Sequence, residues 1–255
     1  MGQRGAILHI ITVGKPIATF WGYRILGIYQ NEQEVLEGPK YVYGRWENDS
    51  TWVPDPAAGV GRWNFADVDK NDSIDSNDRT SIGSPHPDFT IGVPISIKYR
   101  GFELTMFWYG SFGNDLYNVN KAQTDLWKTQ GGRNTQKGAR LLQSWGYPGL
   151  DNSQAILPQI NYAAPERESH NNSYLVEDGT YVRLNQILLG YTFNTSSWNG
   201  IGNFRIYLQG NNLLTWTNYL GLDPNVFNDD HALGYDYGYY PNVRSYMLGL
   251  NITFK

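Results

Sequence analysis

Six oxygen-bearing residues alternate along one short stretch. Asp67, Asp69, Asn71, Ser73, Asp75 and Asp78 occupy positions 1, 3, 5, 7, 9 and 12 of a loop spanning residues 67–78, with apolar Ile74 at position 8. Oxygens so spaced wrap a hard cation such as calcium, and the loop must turn sharply at position 6, where glycine is favoured for its positive φ. That position holds Asp72, which tolerates left-handed backbone better than most residues. Asp78 is shorter than the bidentate Glu of a strong site. The spacing predicts either weak calcium binding that pins a long loop or a solvated acidic turn ahead of a strand. Its role in both cases is structural.

No other constellation points to catalysis. His9, His86, His170 and His231 are scattered without metal-ligand spacing. GxSxG, HExxH and P-loop patterns are absent, and carboxylate neighbours such as Asp229 and Asp230 read as ordinary loop residues. The aromatic residues are a second resource. Trp46, Trp52, Trp63, Trp127, Trp145 and the cluster Tyr235, Tyr237, Tyr239 and Tyr240 fall between the strand-like segments. Flat rings there can stack on sugar faces or grip a partner protein; the competing reading is that they pack the long loops against one another.

The elements that position these residues alternate with period two over about ten residues, the length a tilted strand needs to cross a bilayer. Phe89, Ile91, Val93, Ile95, Ile97 and Tyr99 share one face, with Thr90, Gly92, Pro94, Ser96 and Lys98 on the other. Pro94 predicts a local ladder irregularity. Arg100 and Gly101 turn the chain into Phe102–Phe112, which alternates likewise. Segments from Phe204 and from Ser245 to Phe254 do the same. Between Thr180 and Phe193 the phase slips, with Val182 and Leu184 on one face and Ile187, Leu189, Tyr191 and Phe193 on the other, which predicts a bulge near Asn185 and Gln186. Ile17–Tyr29 is a sixth candidate without clean phase. Short connections (100–101, 194–203) alternate with long ones (30–88, 113–179, 214–243), as the periplasmic turns and outward loops of an outer-membrane barrel do.

Composition agrees. Charged residues make up 17% of the 255 and aromatics 15%, with 28 Gly and no Cys. A net charge of -4 offers no electrostatic footprint for nucleic acid, so no nucleic-acid partner is expected. Without Cys there is no disulfide framework or thiolate site. No run of apolar residues approaches a helical span, and the mean hydropathy of -0.49 does not count against a barrel, whose strands average a lipid face with a polar one.

The final run, Tyr240 to Phe254, resembles the closing strand of SusC/RagA proteins, TonB-linked outer-membrane transporters: a tyrosine-proline pair, then arginine-hydroxyl, then a strand ending on an aromatic. It also resembles the assembly signal of outer-membrane barrels through Tyr246, Gly249, Ile252 and Phe254, with two departures: Met247 stands where a polar residue is usual, and Lys255 follows the terminal aromatic. Val13–Gln30, Asp67–Gly92 and Gln209–Val226 resemble the same family in the same order, so the resemblance runs along nearly all of residues 1–255.

That resemblance implies an all-β chain, the C-terminal portion of an antiparallel transmembrane β-barrel with long extracellular loops. It implies TonB-energised import of a glycan or peptide in the outer membrane of a Gram-negative, Bacteroidetes-like cell. The implied partners are a SusD-like surface lipoprotein lid, the TonB complex through an N-terminal part, outer-membrane lipid and the barrel assembly machinery. No cofactor beyond structural calcium and no enzymatic activity are expected. The export signal, plug, TonB box and early strands are expected outside this stretch. At most six strands are visible against the roughly eight of the smallest barrels, so closure is expected to come from elsewhere. The rivals are a secreted glycan-binding β-sandwich and a polysaccharide-cleaving enzyme.

Overall fold

Alternating apolar and polar residues, bounded by tight turns, produce one antiparallel sheet of five strands in the computed structural model. The structure describes residues 9–11, 13–40, 44–47, 51–126, 137–160, 171–226 and 233–255. The strands are β1 (Phe89–Tyr99), β2 (Phe102–Phe112), β3 (Tyr181–Phe193), β4 (Ile201–Thr217) and β5 (Ser245–Phe254). They lie in the order β5-β4-β3-β2-β1. Arg100 (φ 45) and Gly101 (φ 89) form the β1–β2 turn, and positive φ at both positions gives the hairpin twist that matches its strands. A side chain at Gly101 would meet the Thr192 carbonyl.

Strand β4 runs beyond the alternating segment seen in the sequence, to Thr217. The expected bulge is present: the β2–β3 register shifts between Leu184 and Gln186, leaving Asn185 as the extra residue. The expected irregularity at Pro94 is not. The β1–β2 register is unbroken from Phe89↔Phe112 to Tyr99↔Phe102. Strand β1 is an edge of this sheet, where proline is tolerated without loss of the ladder.

The chain divides into two units. The sheet belongs to the one comprising His86–Asp115, Asp178–Phe227 and Tyr239–Lys255. The other comprises Met1–Pro85, Leu116–Glu177 and Asn228–Gly238, which are mostly the long connections. Ile17–Tyr29 lies there and is not a sixth membrane strand. It splits at Arg24 into Thr19–Tyr23, paired with Arg79–Gly83, and Ile25–Ile28, paired with Trp63–Phe65. Four of the five residues of Thr19–Tyr23 are buried, so both faces are covered by protein and neither is free for lipid.

Two aromatic clusters form the core of this second unit. Tyr23, Trp63, Phe65, Ile74, Leu126 and Leu157 make one; Phe20, Tyr117, Leu175 and Tyr235 make the other. Burying such rings is worth about 1.5–3 kcal/mol each before their ordering cost. A buried charge network fastens three segments of the same unit. The Asp125 carboxylate accepts from Arg140 Nε at 2.6 Å, Tyr174 Oη at 2.7 Å and Thr124 Oγ1 at 2.8 Å. Lys121 donates to the Tyr174 carbonyl at 2.8 Å and pairs with Glu177 at 3.2 Å. Burial lowers the Lys121 pKa, and the Glu177 charge opposes that shift.

Candidate functional site

Within the sheet the register decides what each face presents. Ile97, Leu104, Leu189, Leu208 and Leu248 lie in one cross-strand row, and Ile95, Met106, Ile187, Gly210 and Tyr246 in the next. The bulge at Asn185 brings Val182 and Leu184 onto the face of Ile187, Leu189 and Tyr191, since they pair with Gly110 and Trp108 of β2. One face is thereby apolar across all five strands and open to its surroundings. Leu208 and Leu189 are each 53% exposed and Leu248 69%.

Aromatic rings flank this apolar band at both ends. Toward the short turns, Phe102 meets Tyr191 at 4.6 Å and Phe193 meets Phe204 at 5.2 Å. At the other end Phe89 stacks on Phe112 at 4.8 Å and Trp108 on Trp216 at 5.5 Å. An outward apolar band between two aromatic girdles is the arrangement a strand sheet needs in a bilayer. The opposite face is mixed, with Phe107, Leu188 and Met247 among polar and charged residues. Glu103 there receives Arg205 at 2.6 Å and Lys98 at 3.4 Å, and Gly190 lets Arg205 pass over the sheet.

Strand β5 holds the assembly-signal residues. Tyr246, Ile252 and Phe254 stand on the apolar face, opposite Gly210, Phe204 and Ile201. Gly249 is on the other face, opposite Tyr207, where a Cβ would run into the Tyr207 ring. The glycine makes room for an aromatic neighbour.

The acidic loop bends as its spacing demands, with Asp72 at φ 61 and Lys70 at φ 60. Asp67, Asp69 and Asp78 bring carboxylate oxygens within 4.8 Å of one another. Asp67 is already engaged: Lys70 N–H donates to it at 2.7 Å and Asp72 N–H at 2.8 Å. Asp78, fully buried, accepts from Val68 N–H at 2.8 Å and, in a capping box, from Asp75 N–H at 2.7 Å. Asn71 lies against this group, its Nδ2 donating to Asp69 at 3.0 Å. The Asn71 side chain accepts from Ser73 N–H at 2.8 Å, and Asp75 from Asn77 N–H at 2.6 Å. Desolvation raises the Asp69 pKa and the neighbouring Asp78 and Asp67 charges raise it further, against one bond from Asn71 N–H. Desolvation acts on Asp67 as well but is outweighed by N–H donors from Asp72, Lys70 and Asn71, leaving that carboxyl below the usual range.

The aromatic candidates separate into two groups. Trp63, at 1% exposure, and Tyr235, at 0%, are not available to a ligand; both are core residues, since loops of this length need interior rings of their own. Trp145 is half-buried, packed on Gly61 with its Nε1 donating to Gln30 at 3.0 Å. Tyr237 and Tyr239 are each 47% exposed. Trp46 and Trp52 oppose each other across the hairpin of Gly44–Glu47 and Thr51–Pro54. Trp127 lies outside the described residues, as do His170 and His231.

Reasoning from sequence missed Asp223. It receives Arg183 of β3, Asn225 N–H at 2.9 Å and Asn242 N–H at 2.9 Å. A carboxylate between two alternating segments, facing an Arg on a strand that otherwise carries no charge, was the available signal.

No family model matches the chain. Over 96% of its length it is 35% identical to TonB-dependent receptor P3 of Formosa agariphila and 27% identical to TonB-dependent receptor P26 of the same organism. It is 25% identical, over 74% of its length, to TonB-dependent receptor SusC of Bacteroides thetaiotaomicron. The chain spans 23% of the length of each Formosa relative and 17% of SusC. Among solved structures, a chain of the RagAB peptide importer in its open-open state matches all of this chain with 24% of its own length, at TM-score 0.64 and 23% identity. The closed-closed state gives TM-score 0.62 and 22% identity over 95% of this chain and 24% of that one.

Proposed function

We propose that this chain, similar along 96% of its length to a TonB-dependent receptor and along 74% to SusC, supplies membrane strands and outward loops to a TonB-energised nutrient importer in the outer membrane of a Gram-negative bacterium. One observation carries the reading: a five-stranded antiparallel sheet with an apolar face, largely exposed and edged by aromatic rings, and the sheet's charged side chains, Lys98, Glu103 and Arg205, on the other face. In water such a face drives aggregation; in a bilayer it is the solvated surface. A sandwich would cover that face with a second sheet and bury it, whereas Leu189, Leu208 and Leu248 are exposed.

The imported substrate is a glycan or a peptide, met on the outward side by exposed loop aromatics such as Tyr237 or handed over by a SusD-like surface lipoprotein. TonB acts through a plug supplied by the rest of the receptor. The edges β1 and β5 pair with barrel strands outside this stretch, because open edges in lipid would leave backbone groups unsatisfied at several kcal/mol each. The assembly machinery reads Ser245–Phe254. Nothing in this role requires catalysis, so the chain is read as a transporter segment and not an enzyme.

Calcium, held by Asp67, Asp69 and Asp78, would relieve the mutual repulsion of the three carboxylates and order the approach to β1. Calorimetry with calcium should show binding heat that disappears in an Asp67→Ala, Asp69→Ala double variant; equal heats in both proteins remove the metal. The transporter reading is tested by fractionating cells that express the complete protein. It should sediment with the outer membrane and need detergent for release, and recovery in a soluble secreted fraction would overturn the reading.

A further inference from the structure

The β4–β5 ladder ends at Asn211↔Ser245, although β4 continues to Thr217 paired only with β3. Beyond that point side chains take the place of ladder bonds. Asn212 Nδ2 donates to the Val243 carbonyl at 3.2 Å, and Asp223 accepts from Asn242 through both its backbone N–H at 2.9 Å and its Nδ2 at 3.2 Å. The same carboxylate is gripped from behind by Arg183, which also donates through Nε to Thr215 Oγ1 at 2.9 Å. Arg183 is 3% exposed. One carboxylate thus joins β3, the segment leaving β4 and the segment entering β5.

We infer that Asp223 is a fastener for the outward end of the closing strand, tying the approach 241–244 to β3 across β4 where the ladder gives out. Two stretches that carry the family resemblance, Gln209–Val226 and Tyr240–Phe254, meet at this carboxylate, a junction that neither stretch discloses alone. Arg183 and Asn225 N–H, the latter at 2.9 Å, hold one carboxylate oxygen and Asn242 holds the other, so turning Asp223 away breaks contacts on both sides. Release of the fastener frays β5 from its outward end while leaving the pairs from Phe204↔Ile252 to Leu208↔Leu248 in place.

Hydrogen exchange on the complete protein in detergent tests this, with Asp223→Ala compared with Asn242→Pro. The proline variant removes the backbone donor and leaves the Arg183–Asp223 pair whole, so it reports even where a lone buried Arg183 prevents assembly of the first variant. Both variants should exchange about tenfold or more faster at 243–247, with 204–208 and 248–252 unchanged, as expected for a local opening. Unchanged exchange at 243–247 in Asn242→Pro overturns the inference. So does uniform acceleration across all five strands, which would make the cluster a general staple of the sheet.

Discussion

The two units use similar side chains in opposite ways. In the loop-derived unit Phe20, Trp63 and Tyr235 are fully buried, and buried charged residues such as Asp125 and Lys121 are paired with opposite charges. In the sheet Phe254, Tyr246 and Leu248 stand outward at 74%, 72% and 69% exposure, while polar Arg183 is covered. One unit is stabilised by water around it, the other by a surrounding that cannot hydrogen-bond. An average such as mean hydropathy mixes the two and sees neither; burial read strand by strand separates them.

Substitutions should keep the units apart. Trp63→Ala removes the largest ring of the loop core and is expected to cost about 3–5 kcal/mol there. Limited proteolysis should then cut within 1–85 and 116–177 while the detergent-solubilised sheet keeps its heat-resistant mobility; loss of both together would show that the units do not fold separately.

Leu248→Arg, in the middle row of the apolar face, should cost the sheet about 2–4 kcal/mol in a bilayer. Met247→Arg, on the opposite face and facing Gln209, should cost little. Equal yields of assembled barrel from the two variants would erase the distinction between the faces.

The smallest effect concerns acid. Burial alone raises the Asp223 pKa, but the bonds from Asn225 N–H, Arg183 and Asn242 N–H, with the Arg183 charge, carry it below the ordinary carboxylate range. A carboxyl whose folded pKa is depressed stabilises in full above its unfolded value, about 3.9, and loses that contribution as pH falls through the folded one. Arg183 and Tyr181 are ionisable groups that face it. Exchange at 243–247 should therefore be steady down to about pH 4 after correction for intrinsic rates, and accelerate below. Asp223→Asn should abolish that step.

Much of the sheet was legible because one face of each strand is strictly apolar, and period two leaves few alternatives. The slip at Leu184 and Ile187 located the bulge before any coordinates did. Ile17–Tyr29 misled because aromatic and glycine content mimics a membrane strand, whereas Arg24 and burial on both sides belong to a small interior sheet. Pro94 misled because sequence does not say which strand is an edge. Trp63 and Tyr235 were indistinguishable from Tyr237 in sequence, since whether a loop ring faces in or out depends on contacts from residues far away, such as Phe20 with Tyr235. Asn71 and Asp75 fit the spacing of a cation loop, and in the fold their oxygens also accept from the backbone N–H groups of Ser73 and Asn77, which spacing alone does not disclose.

The bulge at Asn185 also bears on how such a strand can be edited. Strand β3 is written in two reading frames, even-numbered before it and odd-numbered after, and Asn185 is the one-residue frameshift that lets both be read from the same side. Deleting Asn185 would leave every remaining side chain unchanged and still turn either Val182 and Leu184 or the four apolar residues after the bulge to the opposite face. A residue with no apolar contact of its own to defend thus governs the orientation of the six apolar ones around it, and single-residue deletions elsewhere in β3 should be tolerated only where a compensating insertion restores the frame.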